Sequence, residues 1–502
     1  MSIQLGIREW LRWLWRQLTS MRIALILLFL LAVASVPGSL FPQRGTSPLK
    51  VNQYLRDHPS SGKILDQLHM FDVFASPWFG AIYLLLFISL AGCVIPRALE
   101  HARELKGQPP AAPRNLNRLA GYDSWTSNAT TDSLDEIAQS WKGWRLRKDS
   151  HWIAAERGYA RESGNLLFHL SLLALLVAVG MGSANGFKGT VIVREGSGFA
   201  NNVTQFDTYT AGRMYNSSAM PPFSFKLDDF AATYQPDGMQ AGAPRKFQAD
   251  VTVKNNPQAS GRKVRIEVNE PLRVDGVTVY LVGHGYAPAF TIKNALGQVV
   301  WQDAAVFLPQ DSNFTSSGVV KVPDSVPQLG LQGFFLPTAT KDLSLGPRST
   351  FPAANDPQVF LSAWSGDLGL DAGIPQSVYR LETTSMTRLG IEELKPGKTW
   401  TLPGGQGTVE FTGFKEWASF SITKDPGKGW ALGSAILAIA GLSMSLLIPR
   451  RRAWLRITEQ PDGSSLFEVA GLSKTEAPGL IPEVAGLVVS AKKFAPEVVD
   501  GH

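Results

Sequence analysis

The sequence predicts a polytopic α-helical membrane protein with four transmembrane helices and a large extracytoplasmic domain of mainly antiparallel β structure. Three observations carry this. Four apolar runs, at residues 23–43, 73–96, 163–187 and 429–449, contain no Asp, Glu, Lys or Arg, and each is long enough to cross a bilayer, which takes about 20 residues. Basic clusters flank these runs on what the positive-inside rule makes a single side. Residues 188–428 alternate short β-branched segments with Gly, Pro, Asn and Asp, the pattern of antiparallel strands and turns.

Residues 1–22 read as a cytoplasmic amphipathic segment. Ile7, Trp10, Leu11, Leu14 and Leu18 recur at helical spacing, with Arg8, Arg12 and Arg16 on another face, which suits a helix lying among headgroups. The first span, 23–43, has a cleaved leader as its rival reading, because Ala32, Val33 and Ala34 resemble a cleavage site. Its apolar run continues to Phe41, longer than a leader core, and favours a retained helix. An extracytoplasmic loop, 44–72, leads to the second span, 73–96, which holds the single cysteine, Cys93. Residues 97–162 carry Arg97, Arg103, Lys106, Arg114, Arg118 and a second cluster at Lys142, Arg145, Arg147 and Lys148. They read as a small cytoplasmic α/β segment behind a Pro-rich linker, with a helix over 133–141 and strands over 144–148 and 151–156.

The third span, 163–187, is followed by the β domain, 188–428, with strands expected at 190–195, 223–230, 248–254, 263–268, 277–282 and 408–414. The fourth span, 429–449, ends on Arg450, Arg451 and Arg452 and opens a cytoplasmic tail, 450–502. Arg8, Arg12, Arg16 and Arg22 put the N-terminus on the same side as these clusters. The expected location is the plasma membrane, multi-pass, with both termini inside and the large domain outside.

Composition limits the chemistry. Over 502 residues the hydrophobic content is 44% and the net charge +6; the charge is mild and sits beside apolar runs, which argues against nucleic-acid binding. One cysteine excludes an internal disulfide framework, a CxxC redox pair and a cysteine-based zinc site, and Cys93 itself reads as a packed thiol. No phosphate loop and no GxSxG nucleophile pattern occurs. His284, in VGHGYAP, is the only histidine of residues 188–428, and no second ligand stands at metal-site spacing from it. The β domain therefore reads as a binding surface rather than a catalytic one.

His169 stands apart. It is the only titratable side chain in the third run, and such a group in hydrocarbon is expensive and tends to face a bundle interior, a water path or a cofactor. Imidazole is a common axial ligand of haem iron; the plain alternative is a hydrogen bond to a neighbouring helix. Counted from Ser163, His169 lies about 9 Å along the helix, in the inner half of the bilayer.

The segments in this order resemble the ResB (CcsB-like) family of System II cytochrome c biogenesis. The likeness rests on MRIALILLFLLAVASVPGSLFPQ with its Pro42-Gln43 pair, SPWFGAIYLLLFISLAGCVIPR with Cys93, Pro96 and Arg97, and GNLLFHLSLL around His169. It extends to GTVIVREG, VNEPLRVDGVTVYLVGHGYAP and DPG in the large domain, where the GHGYAP variant is similar to that of actinobacterial members.

The resemblance implies a subunit that helps move haem across the membrane and present it, with apocytochrome c, for covalent attachment. It implies a ResC/CcsA-like membrane partner with a Trp-rich haem-handling segment, and thioredoxin-like proteins that keep the substrate thiols reduced. By residue match the haem-ligating membrane histidine is His169, binding haem b transiently at the interface with the partner, which would supply the second axial ligand. The chain has no self-contained catalytic site and would be at most one part of a cytochrome c synthase. The competing reading is a scaffold or apocytochrome chaperone that does not itself ligate haem. A sensor lacks an output domain, and a self-contained bis-histidine enzyme lacks a second histidine within a span.

Overall fold

The computed structural model describes residues 6–44, 47–105, 107–342, 346–370, 377–473 and 479–498; Lys106 of the basic cluster, residues 1–5 and residues 499–502 lie outside them. The chain divides into two compact units, Met1–Gly180 with Gly427–His502, and Met181–Pro426.

The first unit holds the helices. They are α1 (Ile7–Leu18), α2 (Met21–Leu40), α3 (Pro48–Asp57), α4 (Pro59–Gln67), α5 (Pro77–Glu104), α6 (Ser133–Ser140), α7 (Ala160–Asn185, which runs on into the second unit), α8 (Lys428–Leu447) and α9 (Leu480–Lys492). Four of them, α2, α5, α7 and α8, are long and apolar enough to cross a membrane. Ser20 and Ser76 cap α2 and α5 by accepting from the backbone N–H groups of Ile23 and Phe79. The second of these helices differs from the expected span. It starts at Pro77, where proline suits the first turn, and continues past Arg97 to Glu104. The apolar run ends at Pro96, but ALEHARE continues in residues with good helix propensity.

The loop after α2 is tied down by Gln43. Its amide donates to the carbonyls of Phe41 and Met70 at 3.1 and 3.0 Å, and its oxygen accepts from the N–H of Val73 at 3.0 Å. Arg44 adds ion pairs to Asp66 and Asp72. The Pro-Gln pair that ends the first span is thereby a structural clasp.

Residues 97–162 do not fold alone. Their strands Ala120–Ser127, Trp152–Arg157 and Arg145–Lys148 join Arg451–Glu459 and Ser465–Ser473 in one antiparallel sheet, ordered 120–127, 465–473, 451–459, 152–157, 145–148. One face buries Trp125, Ile153, Leu455 and Phe467 against Ile137 and Trp141 at α6 and Val484 and Leu487 of α9. The other face buries Leu116, Ala154, Trp454 and Ala470. The Pro-rich linker runs beside this second face, where the Trp454 indole donates to the Pro110 carbonyl at 3.0 Å. The segment expected as a tail thus completes the sheet.

The second unit is antiparallel β structure built on two 17-residue strands, Val277–Lys293 and Thr408–Lys424. They pair along their length, with register shifts between Leu281 and Gly283 and between Ala289 and Phe290. At about 3.4 Å per residue each spans roughly 55 Å, enough to serve two cores. Near one end, Val277, Val279, Phe420 and Ile422 pack with Phe225, Leu227, Val251 and Ile266 of a four-stranded sheet. Near the other, Phe290, Ile292, Val409 and Phe411 pack with Val320, Leu331, Val359 and Leu361 of a five-stranded sheet.

Candidate functional site

Three helices of the first unit line a half-open cavity of about 830 Å³, within the range of small-molecule and cofactor pockets. On α7 the lining positions include Glu162, Asn165, Leu166, His169, Leu172 and Leu176; spacings of three and four put them on one helical face. Across from them α5 presents Leu86, Leu90, Cys93, Arg97, His101 and Glu104, and α2 presents Ala24, Leu25, Leu28 and Leu31. The wall is therefore aliphatic over most of its length and charged at one end.

The His169 ring is half-buried, with Phe168 set edge-on at 5.1 Å. Its Nδ1 lies 2.8 Å from the carbonyl oxygen of Asn165, one turn back. A carbonyl can only accept, so Nδ1 carries a proton, and in the neutral ring the lone pair is on Nε2. Among the described residues Nε2 has no hydrogen-bond partner. A histidine whose one nitrogen is oriented by a backbone carbonyl while the other is left unprotonated is arranged as metal-ligating histidines are.

The charged end holds a second histidine that the sequence reading placed outside the spans. His101 is on the last turn of α5 and lines the same cavity. Its Nδ1 is 3.8 Å from Glu162 Oε2, and its Nε2 is 3.0 Å from Ser163 Oγ. Since His169 follows Glu162 by seven residues on one helix, the two imidazoles sit at levels about 10 Å apart. His101 could have been found from the helix-forming residues that follow Pro96.

Behind this end lies a buried ion-pair network. Arg450 contacts both Glu162 and Glu156, and Arg452 reaches Glu156 at 2.9 Å. Burial of Glu156 would raise its pKa, but hydrogen bonds from Tyr159, Arg452 and Arg450 outweigh that and hold it below the usual carboxylate range.

The fit to haem is chemical. A flat, largely apolar macrocycle needs an aliphatic slot and an imidazole for its iron, and the cavity offers both; at its charged end Arg97 stands among Glu100, Glu104 and Glu162. Cys93 lines the slot as a lone thiol.

In the second unit His284 is packed. Phe314, Phe247 and Phe230 lie 4.6, 4.7 and 5.1 Å from its ring, and the Tyr234 hydroxyl is 3.1 Å from Nε2. Burial lowers its pKa to about 4, so it is neutral at ordinary pH. The glycines beside it have a steric cause at Gly285, where a Cβ would come within 2.4 Å of the Trp417 indole. That indole donates to the carbonyls of Tyr286 and Phe307 at 3.1 and 3.2 Å. The GHGYAP motif thus locks the two long strands together. In the GTVIVREG motif, Glu195 accepts from the backbone N–H groups of Phe230 and Glu416 at 2.9 and 3.1 Å.

The ResB-like family model matches residues 21–485. A cytochrome c biogenesis protein CcsB of Synechococcus sp. strain WH7803 is 26% identical over 456 residues, 87% of this chain and 89% of that protein. A protein of the same name from Prochlorococcus marinus strain NATL1A is 24% identical over 499 residues, 96% of this chain and 98% of its own length. In a third, from Synechococcus sp. strain RCC307, the identity is 26% over 491 residues, 95% and 96% of the two chains.

Proposed function

The chain belongs to the ResB-like family, and from that premise we propose that it is a membrane subunit of System II cytochrome c assembly. It helps move haem across the membrane and presents it, with apocytochrome c, for covalent attachment. The observation that carries this reading is His169, which lines a largely aliphatic cavity of about 830 Å³ between α2, α5 and α7 with its Nδ1 held by the Asn165 carbonyl. Relatives named cytochrome c biogenesis protein CcsB align over most of the chain and support the pathway.

Haem is cargo here. His169 ligates its iron, the aliphatic walls take the macrocycle, and Arg97 is the cation that the charged end offers a propionate. A ResC/CcsA-like partner supplies the opposite ligand at a shared interface. Basic residues beside the helices support both termini on the cytoplasmic side and Met181–Pro426 outside. The outer domain holds the apocytochrome segment, whose cysteines thioredoxin-like proteins keep reduced. Strand addition at a sheet edge is the mode that suits an extended peptide, and Met386–Leu394 is such an edge, with Ile391 exposed.

Deleting the gene in its own host tests this. Covalently attached haem, read by peroxidase staining of denatured membrane proteins, should be lost while b-type haem in the same membranes persists. Normal c-type staining would refute the proposal.

A further inference from the structure

We propose that α4 lies on the membrane surface, at the end of the helices where α2 stops and α5 starts, with its outward apolar face set among lipid headgroups and upper acyl chains. The inference rests on the four apolar helices being membrane spans and is independent of the haem reading.

The two faces of α4 differ. Gly62 and Asp66, four residues apart, share the face that turns inward. Gly62 is buried against α3, where a Cβ would come 3.1 Å from Leu55 Cδ2, and Asp66 pairs with Arg44 at 2.6 Å. Ile64 and Leu68 are each offset from that pair by two residues, about 200° around the helix. They stand 60% and 51% exposed.

The level of this outward face names its partner. Phe74 is held at the ends of two spans. A Cβ on Gly38 of α2 would come 2.7 Å from its ring, and its centroid lies 5.3 Å from that of Phe79 on α5. Gly38 is two residues before the last residue of α2, and Phe79 two residues after the first of α5. Phe74 therefore touches both helices about 3 Å inside their ends, yet it is 57% exposed. Leu68 is tied to the same level, because its carbonyl accepts from the indole of Trp78, in the first turn of α5, at 3.1 Å. Ile64, one turn from Leu68, is within about 6 Å of that level whatever the tilt of α4.

Three large apolar side chains left uncovered at the ends of the spans mark an interaction surface, and at that level the bilayer itself is what meets them. Tryptophan at the start of a span is the usual residue of the headgroup zone. Lys63, exposed beside Ile64, has a flexible stem that reaches a lipid phosphate while the aliphatic residues sit deeper. Seated there, α4 fixes the depth of the ends of α2 and α5, to which Arg44 and Trp78 tie it.

The experiment is spin labelling of the full-length chain in phosphatidylcholine–phosphatidylglycerol vesicles, in a Cys93→Ser background, at Ile64→Cys and Leu68→Cys in turn. Electron paramagnetic resonance saturation reads the collision of each label with O2, which concentrates in hydrocarbon, and with a water-soluble Ni2+ chelate. Ile439→Cys, at a 67% exposed position in the middle of α8, and Met239→Cys, at a 106% exposed position of the second unit, give the hydrocarbon and water limits. All four positions are exposed, so the labels leave the packed core intact. The expected result is that the labels at 64 and 68 favour O2 over the chelate and read a depth between the two limits. The water value at both would overturn the proposal. Shielding of both labels from both reagents, the mark of a protein partner or a second copy on this face, would overturn it as well. A water value at 439 would overturn it by the other route, through the spans on which it rests.

Discussion

Gly164 of α7 and Gly441 of α8 meet backbone to backbone. A Cβ on Gly164 would stand 2.7 Å from the Gly441 carbonyl oxygen, and one on Gly441 2.6 Å from the Phe168 nitrogen. The contact holds α7 against α8 about one turn before His169. Close approach through small residues is how apolar helices gain contact where no hydrophobic force separates them from lipid.

Gly164→Val should therefore cost about 1–3 kcal/mol, as overpacking does, and lower the thermal midpoint of the purified chain. Gly433→Ala on the same α8 meets nothing within 4 Å and should leave it unchanged. Thermal unfolding of both in one detergent checks this.

The Glu156–Arg450 pair is buried, at 0% and 5% side-chain exposure. Glu156→Ala strands Arg450 with part of its charge uncompensated, which should cost about 3–5 kcal/mol. Lys148 and Asp135 form an exposed pair, so Asp135→Ala should cost about 1 kcal/mol or less. Denaturant unfolding of the two variants measures the contrast.

The outer strands should answer to pH in two opposed ways. Burial, then Glu195 and Asp229, raises Glu416 from 4.5 to about 8. Its folded pKa is raised, so the stability it contributes is present at low pH and lost as pH climbs to about 8. Burial lowers His284 from 6.5 to about 4, so its share is present above 6.5 and lost as pH falls toward 4. Between 4.5 and 6.5 the two effects oppose. Hydrogen exchange in Thr408–Lys424, corrected for intrinsic rates, should show protection declining at both extremes. Glu416→Gln should flatten the alkaline side, and His284→Ala the acid side. The latter variant should also lower cytochrome c yield only modestly, because the ring serves packing.

Reporter fusions after Gln43, Arg103, Gly261 and Arg456 should read outside, inside, outside and inside. A cytoplasmic signal from the Gly261 fusion would contradict the proposed placement of the β domain.

Much of this was legible in the chain because the forces are local. Four uncharged runs announce helices, and alternation in TVIVRE, QADVTVK and VTVYLV announces strands. What was not legible is long-range or masked by charge. The strands Arg451–Glu459 and Ser465–Ser473 do alternate apolar residues, at Ala453, Leu455, Ile457, Phe467 and Val469. Their pairing with Trp152–Arg157 and Ala120–Ser127, some 300 or more residues away, leaves no local signal. His101 was passed over because hydropathy falls at Arg97 while the backbone stays helical to Glu104. The orientation of the His169 ring depends on the Asn165 carbonyl one turn away, a 2.8 Å contact that no residue pattern announces.

The most direct test of the account is the visible spectrum of the chain purified with its membrane partner, before and after His169→Ala. The account predicts a low-spin haem spectrum in the parent. It predicts depleted or absent haem in the variant, and recovery in His169→Gly when imidazole is added. Full haem content with an unchanged low-spin spectrum in a stably expressed His169→Ala protein would contradict it.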